Sequence, residues 1–183
     1  PASSTMRHAS VTVRNGDRSA SVEVRVAPFA PRRLALVDTP GFAHHVALVA
    51  GYALVADGPA GVQVVDVQDP PRAALVSGQA TCGEARKIVA LGNTAYVADG
   101  FGGLCILDVA DPLHPALKGA LPLPGTAFDV AVAGTTAFVA AGPAGIHAVD
   151  VADPAQPRLL ATVAAGAEVA ALDAAVDLLV AGT

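Results

Sequence analysis

Tryptophan is absent from these 183 residues, and the aromatic complement is two Tyr and five Phe. Apolar residues still make up 53% of the chain, much of it alanine, so each core side chain buries little area. Small residues between closely spaced sheets are the expected core, and disorder is excluded by the apolar fraction. Cysteine is nearly absent too. Two thiols, Cys82 and Cys105, cannot supply a four-cysteine zinc cluster.

Basic charge is scarce and unevenly placed. Eleven Lys and Arg face sixteen Asp and Glu, for a net charge of −5. Residues 1–33 hold six Arg against Asp17 and Glu23, whereas the rest holds five basic and fourteen acidic groups. Two different pieces are joined, and the acidic one offers no concentrated basic face for phosphate, which argues against nucleic acid as a partner.

The twenty uncharged residues from Val130 to Val149 have the length of a membrane span. Gly134, Gly142, Pro143 and Gly145 interrupt them, and the aligned stretch Ile88–Leu107 contains Asp99. Two buried strands and a turn are expected there, with no membrane insertion. The chain opens at Pro1 without an initiator Met and stops at Thr183 in a strand-like run, as expected of a fragment. Its ends therefore say nothing about targeting.

What the chain does have is a repeat. YALVADGPAGVQVVDVQDP from Tyr52, AYVADGFGGLCILDVADP from Ala95 and AFVAAGPAGIHAVDVADP from Ala137 share one pattern of apolar strand, Gly turn, apolar strand and DVxDP. Gly58, Gly100 and Gly142 are 42 residues apart, as are Asp66, Asp108 and Asp150, and Pro70, Pro112 and Pro154. A fixed period of this length marks a repeat architecture.

One unit contains four short apolar runs, His44–Val49, Tyr52–Ala56, Val62–Val67 and Ala73–Ser77. The gaps between them are too short for helical crossovers, so neighbours must be antiparallel. Asp57-Gly58 and Asp99-Gly100 close the second strand, and Gly61, Gly103 and Gly145 open the third. DVxDP ends the third strand: proline removes a ladder donor, while Asp69, Asp111 and Asp153 are placed for Asx-type turns. The unit is a four-stranded antiparallel meander, and its repetition predicts an all-β protein built of β-propeller blades.

These segments resemble the LVIVD repeat, a bacterial and archaeal β-propeller repeat of secreted and cell-surface proteins. The likeness spans about Leu34–Leu160, with Ala141 departing from Asp57 and Asp99 and a degenerate stretch after Gly166. It implies a propeller scaffold in the extracellular space or cell envelope, and no established catalytic residues. Blades are expected at about 44–79, 86–121 and 128–163, with a partial blade at 169–183 and a lone outer strand near Leu34–Val37. Three complete blades do not close a ring. The expectation is a truncated propeller over residues 32–183, whose end blades expose apolar faces that the remaining blades of the parent chain would cover.

Ahead of the repeats, valines at 11, 13, 22, 24 and 26 alternate with polar residues around Asn15-Gly16, the pattern of a tight β-hairpin. Residues 9–27 resemble the last two strands of a bacterial immunoglobulin-like surface module; an accessory hairpin of the repeat domain is the alternative. Segment 1–31 is thus a separate N-terminal piece, with AlaProPheAlaPro at 27–31 as its joint.

A ligand would be met where the period does not dictate the residue. The turn between strands two and three and the link into the next blade share one face, and the links read ProGlyPheAlaHisHis at 40–45, CysGlyGluAlaArgLys at 82–87 and ProGlyThrAlaPheAsp at 124–129. His44, Arg86 and Phe128 hold one position, His45, Lys87 and Asp129 the next, and Glu84 lies beside them. These seven form the candidate ligand face, weighed against solvated strand ends.

No catalytic or cofactor site is read. His44 and His45 are neighbours on a strand and point to opposite sides, and His8, His114 and His147 lie elsewhere, so no histidine metal cluster is expected. Each Asp-Gly turn offers one carboxylate where calcium needs six to eight oxygens. No phosphate loop or GxSxG elbow occurs. Cys105 stands where the other units have Gln63 and His147, and Cys82 where they have Pro40 and Pro124. The repeat requires neither, which leaves a disulfide or two unpaired, partly buried thiols. The expected function is a non-catalytic scaffold that binds a protein or glycan through one propeller face. The alternative is an enzyme propeller with its catalytic groups on other blades.

Overall fold

The computed structural model describes residues 7–15, 18–26, 33–175 and 178–182. Two compact units are present, Pro1–Leu34 and Ala35–Thr183. In the first, β1 (Arg7–Asn15) and β2 (Arg18–Val26) pair antiparallel, with Val11 opposite Val22 and Asn15 opposite Arg18. Gly16 of the expected turn and the 27–31 joint lie outside the described residues.

The second unit consists of successive blades. The first is β3 (His45–Val49), β4 (Tyr52–Ala56), β5 (Val62–Asp66) and β6 (Ala74–Gln79). The second is β7 (Lys87–Leu91), β8 (Thr94–Ala98), β9 (Leu104–Asp108) and β10 (Ala116–Leu121). The third is β11 (Asp129–Ala133), β12 (Thr136–Ala140), β13 (Ile146–Asp150) and β14 (Arg158–Val163). Each is a four-stranded antiparallel meander, and β15 (Ala171–Ala175) with β16 (Leu178–Gly182) forms a smaller fourth sheet. First strands of neighbouring blades pack together, β3 with β7, β7 with β11 and β11 with β15. The arrangement is propeller-like and not closed.

Alternation along the middle strands explains the packing. In β8, Ala95 and Val97 join the core shared with the first blade, whereas Tyr96 and Ala98 join the core shared with the third. Both faces of the sheet are therefore buried, which is why these strands are apolar without interruption. Alanine recurs at Ala56, Ala85, Ala98, Ala127 and Ala140, all buried, so the sheets approach closely over small side chains.

Among the described residues no blade precedes the first one. Ile88 and Val130 occupy one position of the repeat and are 0% and 1% exposed, but Val46, their counterpart, is 53% exposed. The expected bare apolar face is present on this blade.

Turn chemistry follows the DVxDP motif with one addition. Asp111 Oδ1 accepts from the Leu113 amide and Asp153 Oδ1 from the Ala155 amide, each at 3.0 Å. The earlier aspartate of the motif acts the same way: Asp66, Asp108 and Asp150 accept from Gln68, Ala110 and Ala152 at 2.9, 2.9 and 3.0 Å. Asp69 instead leads into a short 3-10 turn, Pro70–Arg72, without a side-chain cap.

Two expectations need correction. Leu34–Val37 is not a strand: every outer strand pairs with the third strand of its own blade, and the second unit has no such partner ahead of β3 among the described residues. The uncharged stretch Val130–Val149 runs through three strands, β11 to β13, rather than two. Among the described residues no helix is long and apolar enough to cross a membrane.

The outer strands carry a feature that no single segment announces. Pairing of β5 with β6 skips Val76, that of β9 with β10 skips Lys118, and that of β13 with β14 skips Leu160. These residues are 42 apart, so every complete blade has a β-bulge at one place on its outermost strand. A bulge bends and twists that strand and disrupts its ladder locally.

Candidate functional site

Links and turns are stitched together by backbone hydrogen bonds. The Phe42 amide donates to Asp57 O at 3.2 Å and the Glu84 amide to Asp99 O at 3.1 Å, which ties the first two links to the turns of their own blades. The same turn also grips the next blade: Gly58 and Ala85 exchange two bonds of 2.9 Å, and Gly100 with Ala127 and Gly142 with Val169 repeat the exchange. One rim thus carries all the variable segments.

Under that rim lies a buried carboxylate in each of the first two blades. Asp57 is fully buried, with Oδ1 accepting from Thr39 Oγ1 at 2.6 Å and Oδ2 from the Gly41 amide at 2.8 Å. Thr81 Oγ1 repeats the first bond to Asp99 Oδ1 at 2.6 Å. The third blade has Leu123 and Ala141 instead, both buried, so the polar pair is replaced by an apolar one.

The structure sets six of the seven expected residues in two rows, with Glu84 beside the first. His44, Arg86 and Phe128 rest above Gly58, Gly100 and Gly142, whose φ values are +60°, +59° and +58°. A Cβ at Gly142 would stand 3.0 Å from Phe128 Cε2, one at Gly100 3.6 Å from Arg86 Nε, and one at Gly58 3.6 Å from His44 Nε2. Glycine serves there twice, for the left-handed turn and for the floor beneath the variable side chain. Arg86 reaches Glu84 Oε2 at 3.1 Å, and its guanidinium lies 5.1 Å from the Phe128 ring centroid, a cation–π contact across the blade boundary.

His45, Lys87 and Asp129 start the first strand of each blade and form a polar seam. Lys87 Nζ is 3.4 Å from Asp129 Oδ1. The Val130 amide donates to Oδ1 at 2.7 Å and the Leu172 amide to Oδ2 at 3.0 Å. Asp129 is buried and its oxygens are engaged by the protein. Burial holds the His45 imidazole below its ordinary value, with Lys87 acting the same way and Asp129 against them.

Two exposed aromatics escaped the sequence reading. Phe42 and Phe101 are 73% and 78% exposed, the first on a link and the second on a turn. Phe101 stands where the other turns have Pro59 and Pro143, and that departure is the signal that would have found it. With Phe128, three of the five Phe lie on this rim.

His114 and His147 do not converge. His147 is fully buried, between Thr162 Oγ1 and Pro124 O at 2.9 Å each, and His114 bonds Asp111 at 2.8 Å in an exposed turn. Cys82 and Cys105 are free thiols, the first exposed and the second buried, with Sγ atoms 3.7 Å apart. Burial pushes the Cys105 thiol up, and Cys82 and Asp99 add to it.

Comparison with known proteins agrees with this architecture. The model of the LVIVD repeat matches at residues 40–81, 82–121 and 124–165, one match per blade. No curated protein matches the chain. Among solved structures, the computationally designed Ika4 protein superposes with a TM-score of 0.65 at 14% identity, over 84% of this chain and 92% of its own. The computationally designed Ika8 protein gives 0.62 at 14% identity, over 76% of this chain. This chain spans about two-fifths of the Ika8 length, 42%. At such identities the likeness is one of fold.

Proposed function

Because the chain belongs to the LVIVD repeat family, we propose that it is a non-catalytic scaffold of a secreted or cell-surface protein, binding a protein or glycan through the rim of links and turns. The observation that carries this reading is the row His44, Arg86 and Phe128. Three different side chemistries stand on the same glycine floor at one position of the repeat. The surrounding Gly, Asp and Pro residues are taken up by turns, which leaves the rim as the place where blades differ. Exposed Phe42 and Phe101 add flat apolar surface beside polar donors, a combination suited to sugar rings or to an aromatic-rich protein contact.

The test uses the full chain on an immobilised glycan array and on an envelope protein extract. The triple variant His44→Ala, Arg86→Ala, Phe101→Ala is expected to lose binding at least about tenfold while keeping the wild-type melting temperature. Unchanged binding by the triple variant would sink the assignment of the rim. Release of product from the array would favour the enzyme reading instead. His45, Lys87 and Asp129 are unsuited to this test, because the seam they form holds blades together.

A further inference from the structure

The second blade departs from the first at a point that the scaffold does not explain. Asp57 has both carboxylate oxygens hydrogen-bonded; in Asp99, equally buried, the Cys82 and Gly83 amides face the carboxylate but Oδ2 makes no well-formed hydrogen bond. An unsatisfied buried carboxylate oxygen costs stability. Around it the second blade has exchanged two residues of the repeat for cysteine. Cys82 Sγ, Cys105 Sγ and an Asp99 carboxylate oxygen all lie within 4.8 Å of one another.

The repeat itself brings these positions together. In the third blade His147 Nε2 meets the Pro124 carbonyl at 2.9 Å, 23 residues away. Cys105 and Cys82 are the same two positions, at the same 23-residue separation. Their Sγ–Sγ distance of 3.7 Å is close to the edge of a tetrahedron drawn with Zn–S bonds of about 2.3 Å, roughly 3.8 Å. A disulfide would need the sulfurs to close to about 2.0 Å. One ion can bridge the thiolates almost where they stand.

We propose that Cys82, Asp99 and Cys105 form a three-ligand site for a thiophilic divalent cation, zinc foremost, with a fourth position open to water beside the exposed Cys82. Binding deprotonates both thiols: two S–H bonds break, two S–metal bonds form, and two protons go to solvent. An Asp99 carboxylate oxygen completes the set, and Thr81 steadies the group through Oδ1. Affinity therefore rises with pH. The site lies under the rim of the second blade alone, since neither other blade carries a cysteine.

The test titrates the reduced full chain with zinc alone and with cobalt as a spectroscopic substitute. One ion per chain by native mass spectrometry, a thiolate-to-cobalt absorption band and protection of both thiols from a chromogenic disulfide are expected. Cys82→Ser, exposed and harmless to folding, abolishes the band, and Asp99→Asn weakens binding about tenfold or more. Circular dichroism confirms that each variant is folded. Substoichiometric zinc in the reduced wild type, zinc retained in full by Cys82→Ser, wild-type affinity in Asp99→Asn, or a Cys82–Cys105 disulfide that forms at the same rate with and without zinc would each overturn the proposal.

Discussion

Lys87 and Asp129 occupy the same position of the repeat in successive blades, and the ammonium of one stands 3.4 Å from the carboxylate of the other. Opposite charges at equivalent positions pair across the boundary that identical charges would push apart. The Leu172 amide then extends the seam to the first strand of the fourth sheet.

The two partners should differ in what their loss costs. Asp129→Ala removes the acceptor of two backbone amides in a buried place and is expected to cost about 2–4 kcal/mol. Lys87→Met leaves those amides satisfied and gives up a partly solvated ion pair, about 1 kcal/mol or less. Urea denaturation followed by far-ultraviolet circular dichroism measures both. Equal losses would mean that the ion pair rather than the amides dominates.

The buried clamp of the first blade can be converted to the apolar pair of the third. Asp57→Ala alone strands the Thr39 hydroxyl and the Gly41 amide and should cost about 1–3 kcal/mol. Adding Thr39→Leu, which reproduces the Leu123 and Ala141 pair, should recover a substantial part of that loss. A double-mutant cycle reads the coupling, and additive losses would show that the two positions do not act as a pair.

Position in the array should decide the cost of an identical substitution. Ile88→Lys places an ammonium where exposure is 0% and is expected to unfold the second blade, with a loss above about 4 kcal/mol. Val46→Lys, at the matching position of the first blade, should change stability by less than about 0.5 kcal/mol. Melting temperatures of the two variants settle the comparison, and a large drop for Val46→Lys would mean that its face is covered.

Stability should fall towards acid in two windows. The His45 imidazole is held below 6.5 by burial first and Lys87 next. The unfolded chain therefore binds that proton first, and the contribution present above pH 6.5 is lost as pH falls from there towards the folded value. Asp108 and Asp150 are held below 3.8 first by the Ala110 and Ala152 amides and then by Lys118 and Arg158. Asp111 is held down first by His114 and then by the Leu113 amide. Their contribution is full above pH 3.8 and disappears as pH falls through the folded values. Melting temperature against pH should show both steps, and His45→Gln should remove only the upper one.

What could be read from the residues was local chemistry repeated three times. Gly58, Asp66 and Pro70 fix turns by their own conformational limits, so strand limits came within one or two residues: Tyr52–Ala56 stands as expected, and Ala73–Ser77 became Ala74–Gln79. Properties of pairing were invisible. The bulge at Val76, Lys118 and Leu160 exists only relative to a neighbouring strand, and Leu34–Val37 failed as a strand for want of one. Asp57 and Asp99 looked like turn caps because nothing local says that a threonine 18 residues earlier holds them in the core. Cys82 and Cys105 meet through the register of the repeat, which their separation alone does not reveal. On the rim, Phe101 marks itself only by replacing a proline of the other turns, and the engagement of Asp129 is not legible locally because its amide partner lies 43 residues away.

The bulged outermost strand has a bearing on how such a chain can grow. A strand whose ladder is broken at one fixed place is a poor template for a fifth strand, whether from the same molecule or from another. The blade is therefore closed to enlargement from within its own sheet. The array grows instead through its broad faces, each of which packs on another whole blade. An array built this way lengthens by whole 42-residue units, so its rim changes by one blade at a time.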